Sequence, residues 1–312
     1  MLTDLIKPCI NKLKIEIHFN LKKGEKKMET KEMIDIQQEI RERFPKITFP
    51  NVSLQPLQYG RREVFQIPDR KAIVIQYKNE DPFVSAFCTE SYSLTPFEVT
   101  VKKLIEAADI VKQTSGDYNL NIAVLKSGER MRVSAQFNTD KKPINKGDEV
   151  VTKVGFQTSY DMGWQHSPFY GATRLVCTNG MTANIIEKIM SHRHVQSLNL
   201  EKQKEALVQG ASMMGQQINE WKNWSNKTLR KEEAVMIAEV LPFGERYNEK
   251  ILALPETGTG ETLQQWIDED NVNAWRMYNI YTQFLSHEVE SDLIRIEKGK
   301  EVSAIFHRLM NK

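Results

Sequence analysis

The chain has 312 residues, of which 40% are hydrophobic and 27% are charged, an ordinary composition for a globular protein. No apolar run approaches the roughly eighteen residues of a membrane-spanning helix, so we expect no membrane partner. Basic and acidic side chains nearly balance, at 43 and 41, so the overall charge does not indicate nucleic-acid binding and a basic surface must be local. The 3 cysteines lie far apart in the sequence, which argues against disulfides and a cysteine-based zinc site and fits a reducing cytosol.

Residues 1–27 differ from the rest of the chain. They lack the order of a signal peptide, and the lysine-rich run from Lys23 to Lys27 is what a ribosome-binding sequence would encode if it were translated. We therefore expect Met28 to be the natural start and residues 1–27 to be a mis-assigned or disordered leader. Without its seven lysines and three acidic residues, 36 basic and 38 acidic side chains remain, a net charge of about −2.

The next segment alternates between helical and extended patterns. A charged helix is expected first, and the following stretch is extended because it contains two prolines. Two strands then flank a Pro68-Asp69 turn, and a third strand follows. The predicted ranges are Glu29 to Arg43 for the helix, Thr48 to Gln58 for the extended stretch, and Glu63 to Ile67, Lys71 to Tyr77 and Phe83 to Tyr92 for the strands.

The clearest helix signal begins at Thr95. Thr95-Pro96-Phe97-Glu98 has the pattern of a capping box with proline at the first helical position. Apolar residues then recur on one face, and Gly116 is placed to end the helix.

A hairpin is predicted next, from Asn119 to Leu125 and from Arg130 to Phe137. Apolar residues alternate along its second strand from Met131, as expected for a half-buried strand. Two further strands are expected, Glu149 to Thr158 and Tyr170 to Cys177, and a helix begins near Thr182.

Helical periodicity dominates from Leu198 onward. One long amphipathic helix carries an apolar stripe that includes Met213, Met214 and Trp221, which is compatible with a homo-oligomer and equally with a buried core. Four more helices are predicted, at Lys231 to Leu241, Thr262 to Glu269, Asn271 to Glu288 and Lys300 to Leu309. The fold class is therefore α+β: an antiparallel sheet with packed helices over residues 28–195, followed by an all-helical region over residues 196–312.

The segment from Phe156 to Met181 has the highest density of chemically useful side chains. If its two strands pair, we expect five of these side chains to converge around an anion, since arginine suits phosphate or carboxylate and the start of a helix favours negative charge. The five are Asp161, His166, Arg174, Cys177 and Asn179. Three explanations stay open: Arg174 pairs with a carboxylate and Asn179 caps a helix; the segment binds a ligand or nucleic acid; or Asp161, His166 or Cys177 is catalytic.

Aromatic and basic residues near this segment match the pattern of single-strand binding. Trp164, Phe169 and Tyr170 are candidates for base stacking, with core packing as the alternative. Arginines around the two hairpins are candidates for phosphate contacts, with an ordinary solvated face as the alternative. These arginines are Arg61, Arg62, Arg130 and Arg132. No pattern typical of a phosphate loop, cofactor or metal site is present.

Several motifs together resemble the phage/plasmid-like proteins of domain-of-unknown-function family 932. They are Thr95 to Glu98, Gly128 to Val133, Thr158 to Asp161, Thr173 to Asn179 and Ala274 to His287. The chain departs from the family at Tyr160, where a histidine is common, which weakens an acid–base role that depended on it. The resemblance implies a mobile-element protein in a bacterial cytoplasm, and the hairpin sheet has a looser likeness to phage single-strand annealing proteins.

These observations favour a non-enzymatic function. We expect a mobile-element protein that binds nucleic acid, with single-stranded DNA as its partner and binding or annealing as its activity. Two alternatives remain: an enzyme acting on a phosphorylated or nucleotide-like substrate, and a non-catalytic interaction protein that counters host defence.

Overall fold

The computed structural model describes residues 31–59, 65–175, 199–256 and 259–310. Two antiparallel sheets precede a series of helices, which confirms the predicted α+β class with a helical carboxyl-terminal region. Residues 1–27, Arg61, Arg62, Cys177, Asn179 and the helix predicted from Thr182 lie outside the described residues.

The first sheet has three strands in the order β1-β2-β3, preceded by helix α1 (Lys31–Arg43). Its strands are β1 (Asn51–Tyr59), β2 (Phe65–Gln76) and β3 (Phe83–Thr89). The expected turn at Pro68-Asp69 is wrong, because β2 runs through it as one strand. Asp69 instead takes a left-handed conformation with φ of 57°, which its short polar side chain tolerates.

The second sheet has four strands in the order β4-β5-β6-β7 and positions most of the candidate residues. Its strands are β4 (Asn119–Leu125), β5 (Arg130–Asn145), β6 (Asp148–Ser159) and β7 (Ser167–Arg174). Strand β5 continues eight residues past the predicted end at Phe137, so the turn lies between Asn145 and Asp148. Strand β7 begins three residues before Tyr170, where the sequence pattern had placed its start.

Helix α2 (Phe97–Ser115) packs against β5 and β6 through an apolar face that includes Val101 and Leu104. The predicted capping box is wrong: Pro96 is the N-cap, and it makes no side-chain capping hydrogen bond. Glu98 instead pairs with Arg41 of α1 at 2.9 Å, and the Phe97 amide donates to the Tyr160 hydroxyl at 2.9 Å. The helix start is thus held by tertiary contacts.

The helical region begins with α3 (Leu200–Asn226), which packs against β7 and α2. Five helices follow: α4 (Lys231–Val240), α5 (Glu245–Leu252), α6 (Leu263–Asp268), α7 (Ala274–His287) and α8 (Asp292–Met310). Helix α5 was not predicted, and α8 begins eight residues before Lys300. Met214 and Trp221 of the predicted stripe are buried in the chain's own core. None of the described helices is long and apolar enough to cross a bilayer.

Candidate functional site

The expected convergence of Asp161 and Arg174 is wrong. Strands β6 and β7 do pair, but Arg174 lies opposite Val150 at one end of the pair, whereas Asp161 follows Ser159 at the other end. A strand rises about 3.3 Å per residue, so nine residues separate the two ends by roughly 30 Å. No single ligand of ordinary size contacts both side chains in this arrangement.

Arg174 forms a buried ion-pair network instead of an open anion site. Its guanidinium donates to both carboxylate oxygens of Asp148, at 2.6 and 2.9 Å, and to Glu256 Oε1 at 3.3 Å. The Trp275 indole N–H also donates to Asp148, at 2.7 Å. Arg174 is 6% exposed, and this geometry matches the alternative in which it pairs with a carboxylate. The network joins the sheet to α7 and to the segment that contains Glu256.

Asp161 is likewise held by cations. Its carboxylate accepts from Lys126 at 2.6 Å, from Arg130 at 2.8 Å and from the Gly163 amide at 2.9 Å. Burial works to raise the pKa of Asp161, but the hydrogen bonds from Lys126, Gly163 and Arg130 outweigh it and lower the pKa. A carboxylate whose pKa is lowered is a weak proton acceptor at neutral pH, so the environment of Asp161 disfavours a general-base role.

His166 is completely buried between the sheet and two helices. Its Nε2 lies 3.0 Å from the Thr100 hydroxyl of α2, and its backbone carbonyl accepts from the Gln203 amide of α3 at 3.1 Å. The ring also packs against Phe156, with the ring centroids 5.2 Å apart. These contacts fix His166 as a junction between the sheet, α2 and α3, and solvent does not reach it.

The three aromatics predicted to stack on bases are buried. Trp164 lies beneath Arg130, with the guanidinium carbon 5.1 Å from its ring, and Phe169 lies beneath Arg132 at 4.2 Å. Tyr170 packs so closely on α3 that a Cβ added at Gly210 would lie 2.6 Å from its ring. Because all three are at most 6% exposed, none offers a ring face to a base in this conformation.

One face of the second sheet is polar, and we call it the polar face. Along β5, every second residue is fully buried in the core, namely Met131, Val133, Ala135 and Phe137. The residues between them therefore point to the opposite face of the sheet. The polar face comprises Arg130, Arg132, Ser134 and Gln136 of β5 with Lys153, Gly155 and Gln157 of β6. The sequence-based prediction did not include Lys153 and Gln157. In the sequence they alternate with the apolar residues Val154 and Phe156, as expected for a strand with one buried and one polar face.

Arg132 is held flat on the polar face. The register places Gly155 beside Phe169, and a Cβ on Gly155 would lie 2.5 Å from the Phe169 ring, so glycine leaves the room that this ring occupies. Arg132 then stacks on Phe169, which fixes the guanidinium plane. Its Nη2 is buried and donates no hydrogen bond to any residue that the structure describes. A donor in this state is uncommon in folded proteins and indicates a missing acceptor.

Lys153 lies on the same sheet face as Arg132: it is opposite Gln136, whereas Arg132 is opposite Gln157. In the part of the chain that the structure describes, no carboxylate forms an ion pair with either side chain. Burial lowers the pKa of Arg132 to about 10. Burial and the positive charge of Arg132 together lower the pKa of Lys153 to about 8. Two half-buried cations on one face, without a carboxylate partner among the described residues, favour a local positive potential that suits an anion.

The fold and site define an α+β protein whose second sheet carries two cations on one face, without a carboxylate partner among the described residues. The family model described as "Domain of unknown function (DUF932)" matches residues 90–308, so the chain belongs to this family. No curated protein and no solved structure matches the chain. The matched range contains α2, the whole second sheet and nearly all of the helical region, and it therefore includes the polar face. Across the described ranges, no three acidic, histidine or cysteine side chains gather as a metal site.

Proposed function

We propose that the protein binds nucleic acid through the polar face, and that Arg132 and Lys153 contact its phosphates. The observation that carries this proposal is that two cations share the polar face, half-buried and without a carboxylate partner among the described residues. Ion pairs with phosphate oxygens would supply the missing acceptors and compensate the charge.

The surroundings of the pair also suit a polyanion. The amide side chain of Gln157 lies directly opposite Arg132, and Gln136 lies directly opposite Lys153. Amide and guanidinium groups bind sugar and phosphate oxygens without regard to base sequence. With the three aromatics buried, phosphate contacts take the leading role in this proposal, and base stacking by those rings is no longer part of it.

The biological setting in this proposal comes from the resemblance of the motifs. It is a phage, plasmid or other mobile element in a bacterial cytoplasm, with single-stranded DNA as the partner and a homo-oligomer as the binding form. A second candidate is an enzyme acting on a phosphorylated or nucleotide-like substrate. The lowered pKa of Lys153 favours it, because an amine that loses its proton near pH 8 can act as a base or a nucleophile.

Fluorescence anisotropy with a labelled single-stranded oligonucleotide at low salt tests the proposal. Arg132→Gln and Lys153→Gln should each weaken binding about tenfold or more, since a hydrogen bond to a charged group contributes roughly 1.5–3 kcal/mol. Each should also reduce the slope of log affinity against log salt by about 0.7, the value for one single-strand phosphate contact.

Lys231→Gln is the matched control, because it removes one positive charge from an exposed pair with Asp268 on the helical region. The control should keep both the affinity and the salt slope of the unchanged protein. The proposal is wrong if the two polar-face variants and the control bind equally well. Turnover of a nucleotide substrate that depends on Lys153 would instead support the enzyme.

A further inference from the structure

The two halves of helix α8 are held to the rest of the protein in different ways. In the second half, Val302 and Phe306 are completely buried, and the Phe306 ring packs against Trp224 with the ring centroids 6.0 Å apart. In the first half, residues 294–300, no side chain is buried. Gly299 lies in the turn before the buried half, where it lowers helix stability relative to alanine. The first half is therefore the part of α8 that opens at the lower free-energy cost.

The first half of α8 lies against an arginine and a tryptophan of the second sheet. The Glu297 carboxylate accepts from Arg130 Nη1 at 3.4 Å, and Lys300 Nζ lies 6.0 Å from the centroid of the Trp164 ring. Arg130 lies over the same ring, with its guanidinium carbon 5.1 Å from the centroid. Glu297 and Lys300 are three residues apart and so share the helix face that meets the sheet. With these contacts in place, Trp164 is only 6% exposed.

The residues beneath α8 do not depend on it for their positions. Arg130 Nε donates to Asp161 at 2.8 Å, and the Ser159 hydroxyl holds the backbone N–H and carbonyl of Trp164 at 2.9 and 3.0 Å. The side chain of Glu297 is 49% exposed, and an ion pair with such exposure changes an equilibrium by only about 1.5- to fivefold. When the first half of α8 opens, Arg130 and Trp164 therefore stay in place, and Arg130 Nη1 loses its carboxylate.

We propose that the first half of α8 is an autoinhibitory element, in which Glu297 occupies Arg130 and local opening releases Arg130 Nη1 to a nucleic-acid phosphate and uncovers the Trp164 ring. A carboxylate and a phosphate accept the same charge-assisted hydrogen bonds from a guanidinium, so Glu297 and a phosphate compete for one donor. Arg130 lies two residues before Arg132 on the polar face, so opening extends the phosphate-binding surface along β5. This inference rests on the proposed function and names its regulation.

Hydrogen exchange of the free protein tests the opening without any ligand. The first four amides of α8 have no partner within the helix and exchange rapidly in any case, so the comparison is between residues 296–300 and residues 302–307. Amides of residues 296–300 should exchange about tenfold or more faster than those of the buried half. Glu297→Gln should accelerate residues 296–300 by about 1.5- to fivefold and leave residues 302–307 unchanged.

Tryptophan quenching by acrylamide is a second readout of the free protein. The other four tryptophans are at most 2% exposed, so Trp164 is the one that opening of α8 uncovers. These four are Trp221, Trp224, Trp266 and Trp275. Acrylamide should quench Glu297→Gln more strongly than the unchanged protein, and Trp164→Phe added to Glu297→Gln should remove the difference.

Fluorescence anisotropy with a single-stranded oligonucleotide at low salt then connects the opening to binding. Glu297→Gln should bind about 1.5- to fivefold more tightly, because apparent affinity rises in proportion to the fraction of open protein. Glu301→Gln is the matched control: its side chain is 48% exposed on the same helix, and it removes the same charge from a pair with Lys298. The control should match the unchanged protein in exchange, quenching and affinity. Because coupling is reciprocal, saturating oligonucleotide should accelerate exchange of residues 296–300.

The possible results separate this inference from the proposed function. Equal exchange in the two halves of α8, or quenching that Glu297→Gln does not change, overturns the opening and leaves nucleic-acid binding intact. Opening without a gain in affinity in Glu297→Gln, while Arg132→Gln still weakens binding, overturns the autoinhibition alone. Slower exchange of residues 296–300 with oligonucleotide also overturns it, because α8 would then be part of the bound surface. Failure of the oligonucleotide to bind the unchanged protein and Glu297→Gln overturns both proposals.

Discussion

The role of Arg174 gives the sharpest single-residue prediction. If Arg174 forms a structural ion pair, its mutation lowers stability, whereas if it contacts a phosphate, its mutation lowers ligand affinity. In Arg174→Ala, Asp148 and Glu256 would stay in the core without their cation, although Asp148 keeps the Trp275 N–H and Glu256 keeps the Thr259 hydroxyl. Removing one partner of a buried ion pair destabilises a protein by about 3–5 kcal/mol. The loss should therefore show in stability, with no direct effect on ligand affinity.

The expected size of the effect follows from the length of the chain. Unfolding entropy is about 2.1 cal/mol/K per residue, so the 312 residues give roughly 0.66 kcal/mol/K when they unfold together. A loss of 3–5 kcal/mol then lowers the melting midpoint by about 5–8 °C. Differential scanning calorimetry of Arg174→Ala beside Lys231→Ala measures this shift, and the control should melt with the unchanged protein. Single-stranded DNA affinity, measured well below the midpoint, should be unaltered in Arg174→Ala.

The opposite pattern would refute this account of Arg174. An unchanged melting midpoint together with a tenfold loss of DNA affinity would mean that Arg174 contacts the ligand and that its ion pairs contribute little. Arg174→Lys provides a further check. Lysine keeps the charge but cannot donate to both oxygens of Asp148 in the same plane, so its midpoint should lie between those of Arg174→Ala and the unchanged protein.

Two further predictions concern packing and the start of α2. Gly210→Ala should destabilise the fold by about 1–3 kcal/mol because its Cβ would lie 2.6 Å from the Tyr170 ring. In the same helix nothing lies within 4 Å of a Cβ at Gly215, so Gly215→Ala should stabilise the fold by about 0.5–1 kcal/mol. Denaturant unfolding measures both variants, and a change of stability in the same direction for both would contradict this prediction. Tyr160→Phe leaves the buried Phe97 amide without an acceptor and should cost about 1–3 kcal/mol in the same assay, whereas a change below about 0.5 kcal/mol would show that the hydroxyl contributes little.

Local sequence patterns predicted most of the second sheet. The alternation that begins at Met131 identified the strand and its buried face, and it placed Arg130 and Arg132 on the opposite side. The same pattern in β6 was sufficient to find Lys153. It was overlooked because Val150, Val151 and Thr152 make the beginning of that strand look buried on both sides.

Long-range contacts account for what the sequence pattern could not predict. Glu256 lies 82 positions from Arg174, and no local signal pairs them, so the motif around Arg174 resembled an open anion site. The capping box failed for the same reason. Its glutamate pairs with Arg41, 57 residues away, and Tyr160 takes the position of the helix cap from 63 residues away. Sequence spacing identified the polar residues but not their partners.

The charge state of Lys153 tests the central claim most directly, because it depends on a polar face whose two cations have no carboxylate partner among the described residues. The folded-state pKa is lowered to about 8, so the neutral amine is favoured above that pH, and phosphate affinity should be greatest below it and fall as pH rises through it. Titration of the lysine side chain by NMR, with Lys153→Gln to assign the signal, gives this value in the free protein. The account predicts a midpoint near pH 8 that moves upward when a single-stranded oligonucleotide is bound. An ordinary lysine midpoint near 10.5, or one unmoved at saturating oligonucleotide, would contradict it.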